Sequence, residues 1–149
     1  MSEDEAGNKI NERRFFEETW NKGNFAVARE LVAPNYVDHD SMSSGAGPEG
    51  VRREVSVYRN AFPDIHFAIE DTIAEGDKVV TRLTATGTHE GDLPGIPATG
   101  KRVTISGIVI TRYVNGKAAE AWFKFDFLGL YRQLGAIPAR GGASERSTS

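Results

Sequence analysis

The sequence predicts an α+β domain, and three observations carry that prediction. Apolar residues fall at helical spacing through the amino-terminal half, for example Phe16 with Trp20 and Val51 with Val55, Tyr58 and Phe62. Beyond Pro63 the period changes to two: Ile65, Phe67 and Ile69 alternate with His66, Ala68 and Glu70. The strand-like runs then follow one another, separated by Gly-rich turns, as in a sheet of largely antiparallel strands. Strongly curved around the helices, such a sheet would leave a pocket inside. The chain of 149 residues fits one domain with a real core. That domain is expected over residues 8–138, with an acidic tail at 1–7 and a disordered end at 139–149.

Each element has a local reason. Asn8 is placed to cap a first helix running to about Lys22, which Gly23-Asn24 ends. A short helix spans about Phe25 to Leu31, and Tyr36-Val37 opens a brief strand after Pro34. Asp40 to Gly47 reads as a polar loop. Pro48 and Glu49 start a third helix, Pro at a tolerated first-turn position and Glu at the positive end of the dipole. Glu75-Gly76-Asp77 is a turn, and Lys78 to Thr88 a strand. His89 to Gly100 is a long Gly/Pro-rich loop, Arg102 to Tyr113 a strand, and Asn115-Gly116 a hairpin signal before a last strand from Ala118 to Phe127.

Composition excludes several classes of function. A net charge of −3 gives no electrostatic case for nucleic acid. With no cysteine there is no disulfide, thiolate nucleophile or zinc–thiolate site. The amino end is acidic and lacks an apolar run, so it is not a secretory signal, and no segment has the apolar length of a membrane span. A soluble, cytoplasmic protein is expected. Gly45 to Gly50 formally match G-x-G-x-x-G, but they follow a polar loop rather than a buried strand, and Glu49 would stand where a pyrophosphate needs positive potential.

The residues with the most chemistry lie near the end of the chain. Asp126 stands among Trp122, Phe123, Phe125 and Phe127, and a carboxylate in such company is expected to be desolvated and pushed toward neutral pKa. It is the first candidate acid/base group, with helix capping as its alternative role. Strict alternation would put Glu120, Trp122, Lys124 and Asp126 on one face, unless a bulge sends Lys124 to solvent. His39, between Asp38 and Asp40, is the second candidate acid/base group. Neighbours on an extended chain point to opposite faces, so Asp38, His39 and Asp40 do not converge on one metal ion. Trp20, Phe16, Tyr36, Phe62 and Trp122 are the candidate wall of an aromatic pocket, with ordinary core packing as the alternative for each; His89 is placed either at the pocket mouth or hydrogen-bonded to the loop backbone. Arg13, Arg82 and Arg112 are weaker candidates for holding a substrate oxyanion.

Taken in order, these pieces resemble the SnoaL-like polyketide cyclases of the nuclear-transport-factor-2-like superfamily. The matching segments are Trp20 to Asn24, Tyr36 to Asp40, Gly47 to Gly50, Phe62-Pro63-Asp64, Thr88 to Gly91, Gly95 to Lys101, Arg112, Gly116-Lys117, Glu120, Trp122, and Asp126 to Leu130 with Gln133-Leu134-Gly135. The resemblance covers about residues 9–138. It implies a cone-shaped fold in which a curved mixed, largely antiparallel sheet wraps three amino-terminal helices around an apolar cavity. It also implies intramolecular ring closure of a hydrophobic, polyketide-like molecule by an acid/base carboxylate that falls on Asp126, with no metal or cofactor, in a homodimer. Cyclases of this type can carry a histidine in the strand before the final hairpin, and Gly107 to Thr111 contain none. A hydroxylase-like relative, a non-catalytic ligand-binding protein and an accessory dimerisation domain are the alternatives.

Overall fold

The computed structural model describes residues 2–41 and 45–137. Helix α1 (Glu3–Arg14) continues without a break into a π-helical segment (Phe15–Trp20), followed by α2 (Phe25–Leu31), β1 (Val32–Asp38), α3 (Gly47–Ala61), β2 (His66–Glu75), β3 (Lys78–Thr88), β4 (Arg102–Val114), β5 (Lys117–Phe125) and α4 (Phe127–Leu134). The strands form one sheet in the order β1-β5-β4-β3-β2, in which only the β1–β5 pair is parallel. This is the expected α+β architecture, with the amino-terminal helices packed on a mixed, mostly antiparallel sheet. Among the described residues no helix is long and apolar enough to cross a membrane.

The first helix begins earlier than Asn8. Ser2 and Glu5 form a reciprocal capping box, and Glu3, Asp4 and Glu5 occupy the first turn, where their charge favours the helix dipole. The acidic run expected to be a loose tail is therefore a helix start, and Asn8 is buried inside α1. The segment from Pro138 onward lies outside the described residues.

The π-helical segment is a second departure. The Asn21 N–H donates to the Phe16 carbonyl, five residues back. The segment buries two adjacent pairs, Phe15-Phe16 and Thr19-Trp20. The end of the segment is clamped from two sides. The Asn21 side chain donates to and accepts from the Phe67 backbone (3.0 and 2.7 Å), and Arg59 Nη1 donates to the Trp20 and Asn21 carbonyls (2.8 and 3.0 Å).

The strand register decides which side chains face the helices. On β4 the buried positions are Val103, Gly107, Val109, Thr111 and Tyr113. Val109 pairs with Phe123 and Gly107 with Phe125, so β5 turns Ala121, Phe123 and Phe125 inward and Glu120, Trp122 and Lys124 outward. Gly107 is required by that packing, because a Cβ there would come within 2.5 Å of the Phe125 ring. The last strand ends at Phe125, one residue before Asp126, and Phe127 belongs to α4. The hairpin before β5 is as expected, with Asn115 and Gly116 both at positive φ (51° and 79°). Gly47 seats α3 on β1: at φ 69° a Cβ would lie 2.5 Å from the Pro34 carbonyl oxygen.

Candidate functional site

An apolar cleft of about 700 Å³, including its open mouth, lies between the helices and the inner face of the sheet. Phe67 of β2, Ala85 of β3, Val103 and Ile105 of β4, and Phe123 and Phe125 of β5 form its floor. Trp20, Tyr58, Phe62 and Ile65 close one side, and Phe127 and Leu130 of α4 lie across one end. Three ring pairs meet edge-on or tilted, Trp20 with Phe67 (4.9 Å), Trp20 with Tyr58 (5.9 Å) and Phe67 with Phe125 (5.8 Å), while Phe123 and Phe125 stack (6.3 Å).

Three carboxylates line this otherwise apolar space: Asp38, Asp40 and Glu54. Each is there for a geometric reason. Tyr36 is buried on β1, so Asp38, two residues on, shares its inward face. Glu54 sits one helical turn after Val51, on the buried face of α3. Asp40 follows the end of β1 and is held by β5, whose Phe123 N–H and Lys124 ammonium donate to it at 3.0 and 2.8 Å. Ser41 donates its hydroxyl to Glu54 at 3.0 Å. A smaller pocket beyond the cleft is lined by Trp20, Tyr36, Asp38 and Glu54 among others, so Trp20, Asp38 and Glu54 stand at the junction of the two spaces.

Asp38 has the chemistry expected of a base. Burial pushes its pKa up to about 6, with the charges of Glu54 and Asp40 adding to the rise. The Asp40 N–H, donating to one Asp38 oxygen at 2.9 Å, acts in the opposite direction. Its other oxygen has no hydrogen bond to the described residues. Burial likewise raises the Tyr58 phenol well above its usual range, so it stays protonated at neutral pH.

The residues expected from sequence are distributed differently. Asp126 is exposed and does not line the cleft; it caps α4, accepting the Gly129 N–H at 2.8 Å. The dry environment expected for it is absent, because β5 has ended and the chain has turned outward to start the helix. His39 is also outside the cleft. It follows Asp38 by one residue and faces the opposite side, stacked on Trp122 (centroids 4.9 Å apart) and paired with Glu120 at 2.7 Å. Glu120 also accepts from Arg112 at 2.6 Å, and the two partners hold its pKa low, His39 contributing most. Trp122 therefore belongs to the outer face of the sheet and not to the pocket wall.

Trp20 and Phe62 do line the cleft, and Tyr36 lines the smaller pocket. Phe16 is fully buried core, packed on Phe67 and Phe123 without lining the cleft. His89 is fully buried too, tilted against Phe62 at 5.2 Å; its Nδ1 meets the Thr99 hydroxyl and accepts the Thr99 N–H (2.9 and 3.2 Å). It braces the 89–100 loop from below rather than standing at the mouth. Lys124 reaches Asp40, not Asp126, and Arg13 is spent on an exposed pair with Glu17. Among the described residues no group of three His, Cys, Asp or Glu side chains is arranged to hold a metal.

The sequence model of the SnoaL-like polyketide cyclases matches residues 11–134. The chain belongs to the SnoaL-like polyketide cyclase family. Aklanonic acid methyl ester cyclase DnrD of Streptomyces peucetius is 31% identical over 122 residues, covering 79% of this chain and 84% of the relative. The nogalonic acid methyl ester cyclase of Streptomyces nogalater is 30% identical over 119 residues, covering 78% and 89%. Among solved structures, TsrD from Streptomyces laurentii superposes with a TM-score of 0.82 at 30% identity, covering 92% of this chain and 99% of that one.

For a SnoaL-like cyclase the arrangement has a clear chemical reading. The side chains that β5 points into the cleft, Phe123 and Phe125, cannot carry a proton. Titratable groups reach the cleft from β1, from Asp40 two residues beyond it and from α3 instead. Sequence alone raises Asp38 and Asp40 only as flanks of His39, and does not raise Glu54 or Tyr58 as site residues. The signal was present in the inward parity of Tyr36 and in the Val51–Val55–Tyr58 face of α3, on which Glu54 also lies.

Proposed function

We propose that the protein closes a ring in a neutral, polyketide-like molecule by cofactor-independent acid/base catalysis, with Asp38 as the proton-transfer group. The supporting observation is a carboxyl group with a pKa raised to about 6, lining an open-mouthed aromatic cleft. At neutral pH Asp38 is mostly ionised but, being desolvated, is a stronger base than an exposed aspartate. It removes a proton next to a carbonyl; the resulting enolate carbon attacks a second carbonyl of the same molecule, and the new alkoxide takes the proton back. Positioned proton transfer contributes on the order of 10²–10⁴-fold. Holding the reacting ends together against the aromatic walls supplies a further entropic advantage.

Charge narrows the substrate. The described residues of the cleft wall include three carboxylates and no Arg, Lys or His. A free substrate carboxylate would meet like charge in a poorly solvated space, whereas an ester would not. The curated relatives are named for the methyl esters of aklanonic and nogalonic acid, and such an ester is the class of molecule proposed here.

The same reading includes a homodimer formed through the outer face of the sheet. A cross-strand row of Ile73, Val80, Ile110 and Trp122 crosses that face and ends on the His39 ring.

The test is turnover of aklanonic acid methyl ester by the purified protein, followed chromatographically. The wild type is expected to cyclise it, and Asp38→Asn to bind it with a kcat at least ~100-fold lower. Equal turnover by the variant would remove Asp38 from the mechanism. Tight binding without turnover by the wild type would make the protein a ligand-binding member of the family.

A further inference from the structure

Asp38 and Asp40 are joined by a turn that the sheet holds in place. β1 ends at Asp38, opposite Ala121 of β5, and the His39 N–H donates to the Ala121 carbonyl at 3.0 Å. There the backbone ladder stops. Two residues on, along the same edge of β5, the Phe123 N–H would meet a backbone carbonyl if β1 were longer. The Asp40 side chain meets it instead, accepting at Oδ2 (3.0 Å), while its Oδ1 accepts from the Lys124 ammonium (2.8 Å). The Lys124 side chain is 74% exposed, so the tie to the Phe123 amide is the stronger constraint.

The main chain of the same residue faces the proposed base. The Asp40 N–H donates to Asp38 Oδ1 at 2.9 Å, closing an Asx turn. That turn rests on one local bond, and the Asp40 side chain anchors its far end to the sheet. The two aspartates are therefore unlike. Asp40 has both oxygens committed to β5, whereas Asp38 has one oxygen held by the turn and the other left to receive a proton. Both line the cleft.

We infer that Asp40 is a positioning residue for ring closure: its carboxylate, bonded to β5, fixes the turn whose backbone N–H holds the Asp38 carboxylate in the orientation that takes the substrate proton. This rests on the ring-closure reading above, and Asp40 itself exchanges no proton. Misplacing a reacting group by about 1 Å can cost ~10²-fold in rate, so the tie is expected to act on kcat more than on binding. The charge of Asp40 has a separate effect. A negative group beside Asp38 disfavours a second negative charge there, which makes Asp38 a stronger base. Among the described residues, Glu54 of α3 acts in the same direction, and His39, on the other face of the chain, opposes them. Tyr36 on β1 and Tyr58 on α3 also sense the Asp38 charge, and burial holds both phenols protonated.

Two variants separate the geometry of Asp40 from its charge. Asp40→Ala deletes the tie to Phe123. With aklanonic acid methyl ester its kcat is expected to fall by about 10–10²-fold, with KM changed less than about threefold. Asp40→Asn keeps an oxygen for the Phe123 N–H and loses the charge. It should recover most of the lost kcat, and its half-maximal rate should lie at lower pH than in the wild type, because the charge that opposed ionisation of Asp38 is gone. A merely structural role would not move that midpoint. Asp40→Ala with a kcat within about threefold of wild type, Asp40→Asn as slow as Asp40→Ala, or a midpoint unmoved or raised in Asp40→Asn overturns the inference. If Asp40→Ala fails to fold, hydrogen exchange of the residue 40 amide decides. Protection in the wild type and in Asp40→Asn supports the fixed turn, and exchange at the rate of an open loop overturns it. If the wild type does not turn the ester over, or Asp38→Asn turns it over normally, the ring-closure reading fails and the Asp40 role fails with it. Loss of activity in Asp38→Asn beside a fully active Asp40→Ala sinks only the Asp40 role.

Discussion

Asp38 keeps its proton to about pH 6 because the strand that carries it turns it toward the helices, where burial and two neighbouring acids disfavour its charge. Asp126 is chemically the same residue in the opposite situation. It lies beyond the end of its strand, exposed, with the helix amide of Gly129 as its partner. The difference between them is strand parity. Tyr36 and His39 cannot both face the pocket, since residues three apart on a strand face opposite ways. Trp122 carried a similar warning, because it shares parity with Glu120 and Lys124, both outward. What the sequence could not show was where β5 stops, and one residue there decides between a buried carboxylate and a cap. Asp126→Ala is accordingly expected to lower stability by about 1 kcal/mol through loss of the cap, read as a reduced denaturation midpoint, while leaving turnover intact.

At the scale of elements, the helices-then-strands order and β3 were readable because period and turn residues agree there. Two features were not. The β1–β5 pair is parallel and joins residues about eighty positions apart, which no local pattern reports. The π-helical turn differs from an α-helix only in that its hydrogen bonds span five residues rather than four, and Phe16 with Trp20 fits either period. Glu12 shows how α1 is tied to the sheet. Fully buried, it accepts hydroxyl donors from Thr81 (2.9 Å), Thr111 (3.1 Å) and Tyr113 (2.7 Å). Burial nevertheless raises its pKa to about 7, from 4.5. The folded protein therefore holds a proton that the unfolded chain has lost above about pH 4.5. The stabilisation is complete below that pH and is lost as pH rises through about 7, amounting to roughly 3 kcal/mol for a shift of that size. The thermal midpoint of the wild type should fall between pH 5 and 7, and that of Glu12→Gln should change distinctly less over the same range. Parallel curves for the two proteins would remove Glu12 as the source.

The whole molecule presents two faces of the same sheet with different tasks. The inner face forms the aromatic cleft, and the outer face carries the Ile73–Val80–Ile110–Trp122 row, flanked by the exposed Ile108, Val37 and Val114. Apolar surface of this kind is what a partner copy covers in a symmetric dimer. Sedimentation should give a dimer for the wild type and a monomer for Ile110→Asp, which puts a charge in the middle of the row; a wild-type monomer would contradict the dimer proposal. The family was legible from motifs spread over the whole chain, and the fold followed from it. The site was not, because the motif carboxylate and the cleft carboxylate are different aspartates. The pH dependence of kcat/KM with aklanonic acid methyl ester, compared across wild type, Asp38→Asn and Asp126→Asn, tests that distinction most directly. Asn caps a helix as well as Asp does, so Asp126→Asn should fold, and Asp38→Asn replaces a carboxyl with an amide of the same shape. The wild-type rate should rise with pH to half its maximum near the Asp38 value of about 6, with the same curve for Asp126→Asn and a rate at least ~100-fold lower without that limb for Asp38→Asn. A normal limb in Asp38→Asn, or its loss in Asp126→Asn, would contradict this prediction.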